Sequence, residues 1–346
     1  MSVHIRLLNF AADNKELLRV LKRNLEDIPH ELRLQWLYRD NPAGGAITWF
    51  LCDESGRAVG VTSLFPRAVW LGRRVAVCGQ VGDFGVEAGF RSLGPAIMLQ
   101  RATFEPVMRG ELAFCYDCPP HEKGMAMFHR LGMRENCRMY WYAKMLRSER
   151  LLGPVFGQRG GRLVARAANL VLTLASSFAT ASNGFECAVH TGDFGPEFSI
   201  LDESVAGSGG IRNRRSAEDL NWRYRRNPLQ QFEVLTARRS GELMAYAVFS
   251  VMNNDAFIFD LFGRELERSG LAVLQSLSKL LRPRPVQTVR ALLAGNASFV
   301  PTFRNAGFVR RGAAARVVAF AGSDGAADAV FGHQPSWNFQ HCDVTA

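Results

Sequence analysis

A disulfide framework is missing from this 346-residue chain: its seven cysteines are scattered and odd in number. That usage fits a reducing compartment. The opening Met1, Ser2, Val3, His4, Ile5 and Arg6 carry no apolar core of a secretory leader. Long hydrophobic runs are lacking too. The most apolar stretch, 167–181, contains Asn169, Thr173, Ser176 and Ser177, follows Arg159, Arg162 and Arg166, and is short for a bilayer. A cytoplasmic protein is expected, with peripheral contact at the inner membrane as its furthest association with lipid. Cys115 and Cys118 form one Cys-x-x-Cys pair with His121 nearby, but no fourth ligand is in reach, so no metal is expected. No nucleic-acid-binding module is recognisable, and DNA is not an expected partner.

The composition, 47% hydrophobic and 21% charged, is that of a folded globular protein. The length accommodates two domains, each able to bury a core. The net charge of +10 favours anionic partners, whether nucleic acid, membrane surface or an acidic carrier.

A heptapeptide occurs twice. Trp36, Tyr38, Arg39, Asn41 and Pro42 recur at the same spacing as Trp222, Tyr224, Arg225, Asn227 and Pro228. Each copy precedes a strand-like run, 46–52 or 232–237, then a Gly-containing turn and a second strand, 58–65 or 243–251. Asn-Pro closes the preceding helix, because the residue before proline avoids the α region. Each half ends in a short helix stopped by glycine, Gly132 or Gly307. A duplicated fold follows. The boundaries fall at 1–150, a linker at 151–184 with an apolar helix over 162–178, a second unit at 185–322 and a tail at 323–346.

Gln80 to Val86 reads as a strand, and Arg91, Gly94 and Ala96 lie before a helix over 97–108. This Arg-x-x-Gly-x-Ala loop, with the strand, helix, strand, helix, strand order around it, resembles the GNAT (GCN5-related N-acetyltransferase) superfamily. The resemblance covers 4–146 by motif and order, and 185–320 by topology and the repeat. It implies an α+β protein of two tandem GNAT-like folds, each a mixed, mostly antiparallel sheet flanked by helices. It also implies acyl-CoA as co-substrate, held by Phe84, Gly85, Val86, Arg91, Ser92, Leu93, Gly94, Pro95 and Ala96. The chemistry suits these residues. A helix N-terminus offers unpaired N–H groups to a pyrophosphate, glycine permits close approach, proline in the first turn forfeits no bond, and arginine adds charge. Gly82 and Gly85 predict a bulge that parts this strand from the next. In GNAT proteins that opening admits the pantetheine arm, and a backbone N–H there polarises the thioester carbonyl.

Attack by an amine needs a base, and Asp83 and Glu87 flank the strand. The resemblance implies a tyrosine proton donor four residues before Gly132, where Phe128 stands instead. Tyr116, His121 and His129 are the nearby substitutes, or the thiolate leaves unassisted. The second half carries no such loop at 263–272, so one centre is expected. Trp337 to Asp343 resembles the Trp-rich endings of tandem GNAT-like proteins among surface-polysaccharide enzymes. The function expected is acyl transfer from a thioester to an amine of a small molecule, sugar or lipid precursor. Alternatives are a long-chain transferase served by acyl carrier protein, an aminoacyl-tRNA-dependent transferase and a non-catalytic GNAT-like binding protein.

Overall fold

The structure is a computed structural model describing residues 2–25, 28–119, 122–147, 184–207, 210–295, 297–322, 326–332 and 337–344. The linker helix expected over 162–178 lies outside these residues. The first lobe contributes β1 (Val3–Leu7), β2 (Ile47–Asp53), β3 (Ala58–Leu71), β4 (Arg74–Val86), β5 (Phe114–Asp117) and β6 (Arg134–Met145). The second contributes β7 (Glu186–His190), β8 (Ile211–Asn213), β9 (Glu233–Arg239), β10 (Glu242–Met252), β11 (Asp255–Gly263), β12 (Thr288–Ala294) and β13 (Val309–Ala321).

All of these strands form one sheet, ordered β1-β2-β3-β4-β5-β13-β6-β12-β11-β10-β9-β7, with β8 beside β3. The two lobes trade their closing strands. β13 pairs with β5 of the first lobe, and β6 pairs with β12 of the second. The mixed sheet is mostly antiparallel, and its parallel pairs, β4 with β5 and β11 with β12, occupy matching places in the two lobes.

Helix α1 (Asn14–Asn24) buries Leu17, Val20 and Leu21, the i, i+3, i+4 stripe of an amphipathic helix, and its charges follow the helix dipole. It packs on the same face as α2 (His30–Arg33) and a π-helical turn, Leu34–Arg39, that carries the first heptapeptide. The second copy forms an equivalent turn, Asn221–Arg225. The helix expected over 97–108 is two helices: α3 (Leu93–Ala102) and a short one, Glu105–Met108. Pro106 breaks the run, because its ring would clash with the carbonyl one turn earlier. Among the described residues no helix is long and apolar enough to cross a membrane.

Candidate active site

The glycine-rich end of β4 is bulged. Gly82 pairs with Ser63 and Gly85 with Val61, so Asp83 and Phe84 stand opposite Thr62 alone. Asp83 takes a left-handed φ of 50°, and a Cβ on Gly85 would lie 2.7 Å from the Asn24 side chain. The parallel ladder to β5 stops at Gln80 and Tyr116, so β4 and β5 part from Val81 onward.

Beyond the opening the chain makes a 3-10 turn, Ala88–Phe90, and enters α3. Arg91 Nε donates to the Val86 carbonyl at 2.8 Å, tying the loop to the strand end. Arg91 to Gly94 are exposed, and the Ser92 side chain makes no cap bond. The first-turn N–H groups of α3 therefore point outward without the usual side-chain cap. A Cβ on Gly94 would meet no protein atom within 4 Å, so nothing in the described chain itself demands glycine there. Phe84, Gly85 and Val86 thus lie at the strand end from which Arg91 to Ala96 continue. Beside them Glu87 is ringed by Arg19 at 2.9 Å, Arg57 at 3.3 Å and Arg23 at 3.4 Å. Partial burial pushes its carboxyl up, but the three guanidinium groups outweigh this and hold it below the usual range.

Asp83 turns to the α1 face. Its Oδ2 accepts from buried Tyr38 at 2.5 Å and from buried Arg33, while Oδ1 has no partner among the described residues. Burial, then the Asp83 charge, pushes the Tyr38 phenol well above its ordinary pKa, so it stays a proton donor. Arg33 and Tyr38 were not singled out from the sequence. Tyr38 belonged to the repeated heptapeptide, and that repetition was the available signal. Tyr116 is buried and donates to the Asp343 carbonyl at 2.8 Å, with its phenol pushed up by burial. His129 is exposed on the helix Glu122–Arg130, and Phe128 is buried in the core under β5. His121 lies outside the described residues. All seven thiols are free, and among the described residues no three His, Cys, Asp or Glu side chains gather as a metal site.

The second lobe repeats the opening and then fills it. Phe259 is the extra residue of its bulge, and β11 pairs with β12 only from Asp255 to Ile258. Into the gap comes the tail. Ala294 N donates to Phe339 O at 2.9 Å, and Gln340 bridges Leu293. The Gln340 side chain accepts from Leu261 N at 2.8 Å, and donates to Leu261 O at 2.9 Å and Asp260 Oδ1 at 3.0 Å. The helix Ser269–Leu281 is closed as well: Ser269 and Gly270 are buried, and Ser269 Oγ donates back to the Arg264 and Glu265 carbonyls. One lobe keeps an open strand gap beside an open helix end; the other keeps neither.

No family model and no curated protein matches the sequence. Solved structures do match the coordinates. A conserved protein of unknown function from Enterococcus faecalis V583, described as a probable N-acyltransferase, superimposes with a TM-score of 0.65 at 9% identity, over 92% of this chain and 72% of that one. A tandem GNAT protein from the clavulanic acid biosynthesis pathway gives 0.56 at 16% identity, over 93% and 100%. The chain has a tandem GNAT fold. N-myristoyltransferase of Saccharomyces cerevisiae, solved with bound myristoyl-CoA, superimposes with a TM-score of 0.57 at 10% identity, over 92% of this chain and 79% of that one. In the GNAT frame, the open gap between β4 and β5 belongs to the first lobe. A hollow of about 710 Å³ lies at the opposite end of β4, lined in part by Arg74 to Val77, away from that gap.

Proposed function

We propose that the protein is an N-acyltransferase with one centre, in the first lobe, that takes its acyl group from acyl-CoA. The observation that carries this reading is the pairing of a parted β4 and β5 with an uncapped α3 N-terminus in the first lobe. The acyl-pantetheine arm lies in the gap. The pyrophosphate sits against the N–H groups of α3, with the Arg91 guanidinium and the arginines around Glu87 supplying positive charge. An N–H at the bulge polarises the thioester carbonyl.

The acceptor amine reaches the carbonyl from the α1 face. Its nitrogen attacks the thioester carbon, the C–S bond breaks, and the nitrogen sheds a proton to the unpartnered Oδ1 of Asp83. Arg33 and Tyr38 hold Asp83 in place through its other oxygen. The coenzyme A thiolate, with an ordinary thiol pKa of about 8.5, leaves without a tyrosine donor and takes its proton from water. Glu87, fixed among three arginines, shapes the charge of the cofactor side.

Calorimetry with coenzyme A, followed by turnover with acetyl and palmitoyl thioesters and a panel of amines, tests the proposal. Saturable binding lost in Arg91→Ala is expected. Absence of binding at millimolar ligand would leave the fold as a non-catalytic scaffold. Asp83→Asn is expected to lower kcat by about 100-fold or more, the usual weight of a general base, with the coenzyme A affinity unchanged. An unaltered kcat would remove Asp83 from the chemistry. The palmitoyl arm matters because one fold neighbour carries a myristoyl-CoA ligand. Turnover of long chains would favour a lipid-linked role.

A further inference from the structure

Where the lobes meet, the buried Arg67 and Arg215 and the half-buried Arg223 lie close together, and only Arg215 contacts a carboxylate. Arg215 Nε contacts both oxygens of Asp260 at 2.9 and 3.0 Å, and its Nη2 lies 3.4 Å from Asp343. The Asp343 carboxylate is further held by Asn213 at 2.8 Å and the Gln340 N–H at 2.7 Å. Arg223 donates to the Cys342 carbonyl. Arg67 has no carboxylate at all. Its Nε and Nη2 reach only the neutral Gln80 amide oxygen, at 3.1 and 3.0 Å. Its Nη1 is buried with no partner among the described residues, on a residue only 4% exposed.

This cation lines a pocket of about 290 Å³. Trp36, Trp222, Phe232, Phe259 and Met252 form apolar walls, Arg223 adds a second guanidinium, and no Asp or Glu is among the lining residues. Arg67 and Arg223 both lie against the Trp222 ring, at 5.0 and 5.6 Å. Burial, then the charge of Arg223, pushes Arg67 down to about 10. His341, also in the wall, is pushed down to about 4 by burial and is neutral at pH 7. An isolated buried cation with a free donor is costly to keep unless something compensates it.

We propose that this pocket binds a small organic anion, a carboxylate carried on an apolar body, with Arg67 Nη1 as its charged donor and the aromatic walls around its body. The lining argues for an organic carboxylate over a bare oxyanion: two guanidinium groups lie against the Trp222 ring, and Trp36, Phe232, Phe259 and Met252 add apolar surface. None of its lining residues is among the proposed coenzyme A contacts. Gln80, which holds Arg67, is the last β4 residue paired with β5, so the pocket is anchored at the root of the cofactor gap rather than within it.

The test is direct binding to the full chain. Phenylacetate, 4-methylpentanoate and benzoate are titrated by calorimetry, with tryptophan emission as a second readout because Trp36 and Trp222 line the site. At least one carboxylate is expected to bind saturably and raise Tm, with its neutral amide and inorganic phosphate at least about tenfold weaker, the loss of one charged hydrogen bond. Arg67→Met should abolish this response while matching or exceeding the unliganded wild type in Tm. The proposal is overturned if no carboxylate binds saturably at millimolar concentration, if phosphate binds as well as the carboxylates, or if Arg67→Met binds them unchanged. It is equally overturned if that variant, still folded by circular dichroism, melts several degrees lower. Coenzyme A binding, measured in parallel, reports on the other site separately.

Discussion

Trp36 and Trp222 hold each other across the middle of the molecule. Their rings stack at 5.3 Å with a 24° tilt. Each indole donates to the other's backbone carbonyl, Trp36 to Trp222 at 2.8 Å and Trp222 to Trp36 at 2.9 Å. The first residue of each heptapeptide copy is thus the partner of the other, which gives the repetition a physical reason.

Trp36→Ala should destabilise by about 3–5 kcal/mol, the usual range for an aromatic removed from a core. Trp36→Phe, which keeps a ring and leaves the Trp222 carbonyl without its donor, should lose about 1–3 kcal/mol. Urea unfolding of both, with Trp222→Phe and the double variant, measures the coupling. Additive losses would show that the two rings act separately.

Gly94→Ala separates cofactor binding from stability. Its Cβ would meet no protein atom, so Tm should stay within about a degree, as for a neutral surface change. The Michaelis constant for acyl-CoA should rise about tenfold if the phosphates approach the α3 N-terminus as proposed, since the methyl group would stand in their way. A variant with lowered Tm and unchanged Michaelis constant would mean that the glycine serves the fold.

Gln340→Ala removes the side chain that stitches the tail to β11. Three hydrogen bonds go, and Leu261 N and Asp260 lose buried partners. A loss of about 2–4 kcal/mol is expected from groups left unsatisfied. Coenzyme A stoichiometry should remain one per chain, because the helix end at Ser269 stays closed. A second equivalent bound by the variant would show that the tail alone keeps the second lobe empty.

His341 makes stability depend on pH. Its ring stacks on Phe259 at 4.3 Å, and burial pushes it down to about 4. As pH falls below about 6.5 the unfolded chain takes up a proton that the folded chain refuses. Stability should therefore decline from pH 6.5 toward pH 4 and level off below. Denaturant melts of wild type and His341→Phe across that window check it; the variant should lack about 3 kcal/mol of that decline, and identical profiles would clear His341.

Much of the first lobe was legible because its signals were local. Gly82 and Gly85 marked the bulge, and Arg91 to Ala96 marked the loop, each within a few residues of what it shapes. The repeat revealed the duplication. The exchange of β6 and β13 was not legible, since a strand's own residues set which face it buries but not which strand it pairs with. Arg33 and Tyr38 escaped notice as partners of Asp83 because they lie 50 and 45 residues away in sequence. The tail's place in the second gap was hidden for the same reason: Gln340 meets Leu261 across 79 residues.

The traded strands bear on how the chain comes off the ribosome. β5 acquires its outer neighbour only when Val318 to Ala321 arrive, roughly two hundred residues later. Until then the first lobe has an unpaired edge, and β6 waits for β12. Contacts of such long range slow folding and leave nascent edges open to wrong partners. The amino-terminal half, although it carries the whole loop from Arg91 to Ala96, should not be obtainable as a stable fragment; it should become soluble when the two halves are made together.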